Sequence, residues 1–231
     1  DTGQSGHFIE NAKVLGIDIS EVDALVISHG HYDHTGGLEA FLKLNAKASI
    51  YMKPAALDAK YHGEKRFIGT SLDSHLLNNR IHLVEEILEI DKGVFVMPDS
   101  PLVHALDSSF CGFKIKKGDQ FEEDTFTDEL FLTIVRSGKI SIISSCSHRG
   151  ISNMINEAVR TFLLPVDLIL GGFHLKNSTQ EQYDEVVAYL RELKPERLGV
   201  SHCTGIEKFC ELKKDLSFPV FYNMTGNRIT I

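Results

Sequence analysis

Ten residues constrain this chain more than any others: Ser28-His29-Gly30-His31-Tyr32-Asp33-His34-Thr35-Gly36-Gly37. Four metal-ligand types, His29, His31, Asp33 and His34, stand directly behind the apolar run Ala24-Leu25-Val26-Ile27. On a strand, His29, His31 and Asp33 would share one face and His34 would point away. On a helix, His31 would point away from His29 and Asp33. Neither element turns all four inward, so the stretch is expected to be a loop at a strand end, wrapped around a bound group. Neutral imidazole and carboxylate suit zinc, iron or manganese. Four ligands exceed what one tetrahedral ion takes from one short loop, which points to two ions. A solvated glycine-rich turn would account for a single surface histidine, but poorly for this cluster.

Three more histidines repeat the context. Apolar runs at 140–145, 166–170 and 198–201 lead into Cys146-Ser147-His148-Arg149-Gly150, Gly171-Gly172-Phe173-His174 and His202-Cys203-Thr204-Gly205. Helical periodicity follows each loop, for example Ile151, Met154, Ile155, Ala158, Val159 and Phe162. Strand–loop–helix units line up their loops at the carboxyl ends of the strands, where α/β proteins build sites. His29, His148, His174 and His202 are therefore expected to gather along one sheet edge. His7, His62, His75, His82 and His104 lack this context and read as surface or substrate-loop residues.

Elsewhere the pattern predicts short helices at 11–15 and 54–59, a helix from Leu38 to about Asn45, and strands at 48–52, 81–84 and 93–97. Ser137-Gly138 reads as the turn of a hairpin. Helices near 183–193 and 206–214 and a last strand at 220–222 close the chain. Residues 60–80 read as an irregular loop or cap over the site, and 99–128 as mixed loop. The run Glu122-Glu123-Asp124 reads as a solvated acidic face.

The 231 residues suffice for one sizeable domain, residues 1–231. A net charge of −8 offers no basic surface for nucleic acid. No apolar run approaches the ~18 residues of a membrane helix. Four cysteines without CxxC spacing suggest thiols in a reducing cytoplasm rather than a disulfide scaffold. The opening Asp1-Thr2-Gly3 reads like the end of a strand, so a preceding segment is expected.

His29-X-His31-X-Asp33-His34 after a strand, followed by single histidines in separate loops, resembles the metallo-β-lactamase-fold hydrolase superfamily. More narrowly, Ser28–Gly37, Cys146–Ile151, Gly171–Leu175 and His202–Gly205 resemble a subgroup named for dihydropterin-methyl-(ribofuranosyl)aminobenzene-phosphate synthesis. The resemblance implies an α/β fold, the four-layer αββα sandwich, lacking its first strands here. It implies two divalent metal ions, zinc foremost, with manganese or iron as alternatives. His29, His31 and His148 would hold the first ion, and Asp33, His34 and His202 the second. Asp1 would orient the ligand loop. Most dinuclear members carry a bridging Asp where this chain has Gly-Gly-Phe-His174. His174 could replace it as a ligand, touch substrate as acid or hydrogen-bond donor, or be structural.

Paired ions ~3.5–4 Å apart activate water and clamp an oxyanion. The expected activity is thus metal-dependent hydrolysis of a small phosphorylated or other anionic ester through a metal-held hydroxide. Asp33 and His174 would act in catalysis, and Arg149, His174, Lys65 and Arg66 on the substrate. A pterin-linked synthase and a non-catalytic metal-dependent binding protein are the rival expectations. Cys146 and Cys203 flank ligands and could support them, add soft ligands or simply pack. The expected partner is a small anionic molecule, not nucleic acid or membrane, and residues 60–80 could pack in a homodimer.

Overall fold

The computed structural model describes residues 1–71 and 80–231. They group into two compact units: residues 1–85 with 110–130, and residues 86–109 with 131–231.

In the first unit, β1 (Ala24–Val26), β2 (Ser49–Met52) and β5 (Ile81–Leu83) form a parallel sheet in the order β1-β2-β5. Helices α1 (His7–Val14), α2 (Tyr32–Thr35) and α3 (Leu38–Leu44) belong to the same unit. Leu38 and Phe41 of α3 join Leu25, Ile27, Ile50, Met52 and Ala56 in its core. The helix stops at Asn45, whose side-chain amide donates to the Ile19 and Val22 carbonyls and whose Oδ1 accepts from Lys47 and Ala48. A residue so occupied by its neighbours' backbone cannot continue a helix.

A second, antiparallel sheet was not expected. β3 (Lys60–His62), β4 (Arg66–Phe67), β8 (Phe113–Lys117) and β9 (Gln120–Glu123) pair in the order β4-β3-β8-β9. Residues 60–67 are thus a hairpin of two short strands joined by a turn at 63–65, in place of irregular chain, and 113–123 is a hairpin, not loop. The sheet's strands are two to five residues long and charged at half of their positions, so the period-2 signal is faint. His75 and the rest of 72–79 lie outside the described residues.

The second unit is built on a seven-stranded mixed sheet. β6 (Leu88–Asp91), β7 (Val94–Met97), β10 (Phe131–Arg136), β11 (Lys139–Ser144), β12 (Val166–Gly171), β13 (Arg197–Val200) and β14 (Val220–Tyr222) run in the order β14-β13-β12-β11-β10-β7-β6. β11 through β14 are parallel neighbours. The β10–β11 turn has positive φ at Ser137 (52°) and Gly138 (74°), the twist that suits a two-residue hairpin. Helices α4 (Ile151–Phe162), α5 (Gln180–Leu193) and α6 (Ile206–Asp215) send Met154, Ile155, Val186, Leu190 and Leu212 into one core with Ile142, Ile169 and Leu198. α5 is capped by Thr179, whose hydroxyl accepts the Gln182 N–H, and ends at Lys194 in the left-handed region ahead of Pro195.

Among the described residues, no helix is long and apolar enough to cross a membrane. Three of the four histidine loops leave one sheet, at the carboxyl ends of adjacent parallel strands β11, β12 and β13. The fourth, His29, follows β1 in a different sheet, against the single-edge expectation.

Candidate metal centre

The chain leaves β1 through Ser28-His29-Gly30, and His31 is the extended residue (φ −76°, ψ 145°) that caps α2. Asp33 and His34 therefore sit on a single helical turn rather than on a wholly irregular loop. A cap residue lies outside the helix, so the three-residue reversal reconciles side chains that neither regular element could gather. The His29 ring lies 4.6 Å from His31 and 4.2 Å from His34, centroid to centroid. All three rings are buried, at 0%, 6% and 4% exposure.

Asp1 fixes two of them. Its Oδ2 accepts from His34 Nδ1 at 2.7 Å and from the Ser28 hydroxyl at 2.9 Å, and its Oδ1 accepts the Ser28 N–H at 2.7 Å. With its own proton given to Asp1, Ser28 Oγ accepts from His29 Nδ1 at 2.9 Å. Both imidazoles then carry the ring's lone pair on Nε2, the tautomer a metal takes. His34 Nε2 stands 3.6 Å from Asp33 Oδ2. Two donors each ~2.1 Å from one tetrahedral ion are about 3.4 Å apart, so this pair fits a shared ion.

A buried ion cluster braces the loop. Lys60 Nζ donates to Asp124 Oδ2 at 2.6 Å and to Asp128 Oδ1 at 2.8 Å, and all three side chains are sealed from solvent. Asp128 Oδ2 accepts the Gly30 N–H at 2.7 Å, between the two ligand-type histidines. Asp124 Oδ1 accepts the Phe126 N–H, and the Phe126 ring packs 6.1 Å from His29 and 5.3 Å from His31. Burial pulls the Lys60 pKa down, but Asp128 and Asp124 outweigh it and hold the ammonium above its ordinary range. Burial pushes Asp128 up, and Lys60 offsets part of that rise. Gly30 has no substitute here, because a Cβ would lie 2.1 Å from the Ala56 carbonyl oxygen.

Asp124 thus corrects the reading of 122–124 as a solvated face: Glu122 and Glu123 are exposed, but Asp124 is buried and paired. Neither Lys60 nor Asp128 stood out in the sequence. Of the substrate-side candidates, Lys65 is exposed, and Arg66 donates to the Tyr32 hydroxyl at 3.1 Å, beside the ligand loop.

In the second unit, His148 is buried (1% exposed) and its ring lies 4.2 Å from that of His174. Its carbonyl accepts the Ser109 N–H at 2.8 Å. Arg149 is half-buried, with Nε donating to the Ser100 carbonyl at 3.3 Å. His202 is exposed and, with Ser201, Tyr222, Asn223 and Asn227, lines an open polar cleft of about 740 Å³. His174 and Cys203 are bound together by the His174 N–H, 3.2 Å from Cys203 Sγ. Gly171 and Gly172 let these loops close: a Cβ would lie 1.7 Å from the Ser144 carbonyl oxygen at Gly171 and 2.2 Å from that of Ser145 at Gly172. Cys146, His174 and Cys203 bring three donor atoms within 4.8 Å of one another.

One buried carboxylate, Asp107, carries no local signal in the sequence. Asp107 is fully buried, and its Oδ2 accepts the Ser152 N–H at 2.7 Å, satisfying the first turn of α4 just after His148-Arg149. Burial pushes its pKa up to about 7 from 3.8, against the Ser152 hydrogen bonds that lower it. Because the folded value is the higher one, this group favours folding most below pH ~4, and the benefit fades as pH rises toward 7. Asp107→Asn keeps the acceptor and removes the titration. Urea unfolding of the two proteins should show wild type losing up to about 4 kcal/mol relative to the variant between pH 4 and 7. Parallel pH profiles would refute the assignment.

Residues 1–119 match the family model of the metallo-beta-lactamase superfamily. The chain is 28% identical over 210 residues to the 7,8-dihydropterin-6-methyl-4-(beta-D-ribofuranosyl)-aminobenzene-5'-phosphate synthase of Methanocaldococcus jannaschii, covering 85% of this chain and 71% of that protein. It is 30% identical over 237 residues to an uncharacterized protein of the same organism, covering 100% and 87%. A solved structure described as a metal-dependent hydrolase of the beta-lactamase superfamily matches with a TM-score of 0.87 and 32% identity, covering 100% of this chain and 87% of that one.

Proposed function

Because the chain belongs to the metallo-β-lactamase superfamily and has its mixed α/β fold, we propose that it is a metal-dependent hydrolase of a small phosphorylated or other anionic ester. The observation that carries this reading is the His29–His34 turn: three buried imidazoles, two with their tautomer set for metal, and a carboxylate 3.6 Å from His34 Nε2. The solved relative described as a metal-dependent hydrolase supports it. In this reading His29, His31 and His148 serve a first ion and Asp33, His34 and His202 a second, with zinc the leading choice among zinc, manganese and iron. The bound ions would supply Lewis acidity toward the ester and lower the pKa of water.

The chain's own residues do the rest. Asp1 and Ser28 hold His34 and His29 in one tautomer and orientation. Asp33, only partly shielded, would orient the nucleophilic water and accept its proton. Arg149 and Arg66 supply the charge that would receive the anionic group, Arg66 oriented by Tyr32. Lys65, on the surface before Arg66, adds to that charge. His174 acts at the centre, on metal or on substrate, rather than in the fold. His174→Ala is accordingly expected to cut turnover at least ~100-fold, within the usual range for a proton-transferring group, with little change in melting temperature. An unchanged rate with a lowered melting temperature would make His174 structural.

The test of the whole reading is turnover. The chain stripped and reloaded with Zn²⁺, Mn²⁺ or Fe²⁺ should hydrolyse phosphomonoester or phosphodiester substrates. Failure with all three ions across both classes would overturn it. The 28% identity to the M. jannaschii synthase favours a second reading, formation of the dihydropterin-methyl-ribofuranosyl-aminobenzene-phosphate conjugate for which that protein is named. Formation of that conjugate, without ester hydrolysis, would establish it instead.

A further inference from the structure

We propose that the open cleft beside His202 is a substrate subsite for a neutral, hydroxyl-rich group of the polyol class, with Asn223 and Asn227 as its specificity-determining residues. The proposal rests on the hydrolase reading for the anionic end of the substrate. It adds what that ester is attached to.

The cleft lies at the carboxyl ends of the parallel neighbours β13 and β14, the side on which α/β sheets take ligands. Its volume of about 740 Å³ falls within the ~300–1,000 Å³ usual for small-molecule sites. Ser201, His202, Tyr222, Asn223, Thr225 and Asn227 line it, and no Lys, Arg, Asp or Glu does. Beyond His202, then, an anion meets no countercharge here. A purely apolar group would take amides and hydroxyls out of water with nothing in exchange. A substrate hydroxyl both donates and accepts, and so do the asparagine amide and the serine, threonine and tyrosine hydroxyls. A polyol is the neutral class that matches this lining group for group. Among the described residues, the Ser201 and Thr225 hydroxyls and the Asn223 amide meet no hydrogen-bonding partner, so their capacity is unspent.

The wall is fixed in place. The Asn223 N–H donates to the Val200 carbonyl at 2.8 Å, which extends the β13–β14 ladder by one bond. The chain then turns: Gly226 has φ 92°, and the Asn227 N–H donates to the Met224 carbonyl at 3.1 Å. The Asn227 amide donates to the Tyr222 carbonyl at 3.4 Å, which leaves its Oδ1 as an acceptor. Past the turn, the Arg197 guanidinium donates to the Thr230 carbonyl from Nη1 at 3.1 Å and from Nη2 at 3.2 Å, and Nη2 also donates to Asp167 Oδ2 at 2.6 Å. Residues 223–230 are thus tied back to β12 and β13. A specificity wall needs this order, because ordering a loose segment would consume what its hydrogen bonds contribute.

Sorbitol 6-phosphate and n-hexyl phosphate share a chain length and a terminal phosphate, and differ only in hydroxyl groups. The first readout is binding, without metal or turnover. In the metal-free ¹⁵N-labelled chain, the side-chain amide signals of Asn223 and Asn227, identified with Asn223→Asp and Asn227→Asp, should shift saturably with sorbitol 6-phosphate and not with n-hexyl phosphate. The second readout is kcat/KM of the Zn²⁺-loaded chain. Sorbitol 6-phosphate should exceed n-hexyl phosphate at least ~10-fold, the net worth of one or two hydrogen bonds. Asn223→Ala and Asn227→Ala should each lower that ratio at least ~3-fold. 6-Phosphogluconate, with a carboxylate at its far end, should do no better than sorbitol 6-phosphate. A missing shift, a ratio near one in an active enzyme, or a preference for 6-phosphogluconate would overturn the subsite. Turnover of both esters with no shift and no preference rejects the subsite and keeps the hydrolase. A saturable shift without turnover does the reverse, and neither rejects both. Should Asn223→Ala fail to fold, Asn227→Ala, at an exposed turn position, and the wild-type shifts decide.

Discussion

Lys60→Ala is expected to lower the unfolding free energy by about 3–5 kcal/mol, the usual cost of removing one partner of a buried ion pair. Two carboxylates, Asp124 and Asp128, would be left in a site sealed from water. Removing the whole charge cluster should cost less. Lys60→Met with Asp124→Asn and Asp128→Asn keeps acceptors for the Phe126 and Gly30 N–H groups and leaves no buried charge. It should recover most of the loss, whereas leucines at 124 and 128 would orphan both N–H groups. The contribution of Lys60 also has a pH signature. Its folded pKa is raised above 10.5, so its stabilisation is complete below that pH and disappears as pH climbs through the folded value. Urea midpoints at neutral and strongly alkaline pH measure both effects. A Lys60→Ala protein that unfolds with wild type at pH 7 would refute the role of the cluster.

The second large effect concerns metal. His31→Gln is expected to weaken metal binding more than ~100-fold, beyond the 10–100-fold typical of losing an outer partner. Glutamine roughly preserves the volume between the Phe113 and Phe126 rings, 5.4 and 5.3 Å from His31, so the fold should survive. Elemental analysis after gel filtration should show less metal per chain than wild type, with esterase activity lost in parallel. Full metal content would remove His31 from the ligand set. Asp128→Asn should lie between, because it keeps an acceptor for Gly30 but disturbs the charge balance that holds it.

Much of this was legible in the residues. The β10–β11 turn is written in Ser137-Gly138, and β14 was placed at 220–222 by its apolar run alone. The loops after β11, β12 and β13 follow from strand–loop–helix order, since parallel neighbours put such loops on one edge. Long-range pairing was not legible. Lys60 meets its carboxylates 64 and 68 residues away, and nothing local to a lysine between a short helix and a tyrosine announces burial. Asp124 was masked by Glu122 and Glu123, which do face solvent. Asp107 acts on a helix start 45 residues on. The sheet of β3, β4, β8 and β9 escaped because its strands are short and charged at half of their positions, so burial, which sets the period-2 pattern, is slight.

The left-handed backbone at His174 also bears on which residues could replace it. Histidine, aspartate and asparagine are the side chains that tolerate this conformation best, with glycine costing nothing. That short list includes both a neutral nitrogen donor and a carboxylate. The turn after β12 therefore accepts an imidazole or a carboxylate without re-routing the chain, whereas valine, isoleucine or threonine would be rejected by the main chain before their chemistry counted. If His174 holds metal as proposed, aspartate in its place would harden the donor set while every strand stays in register.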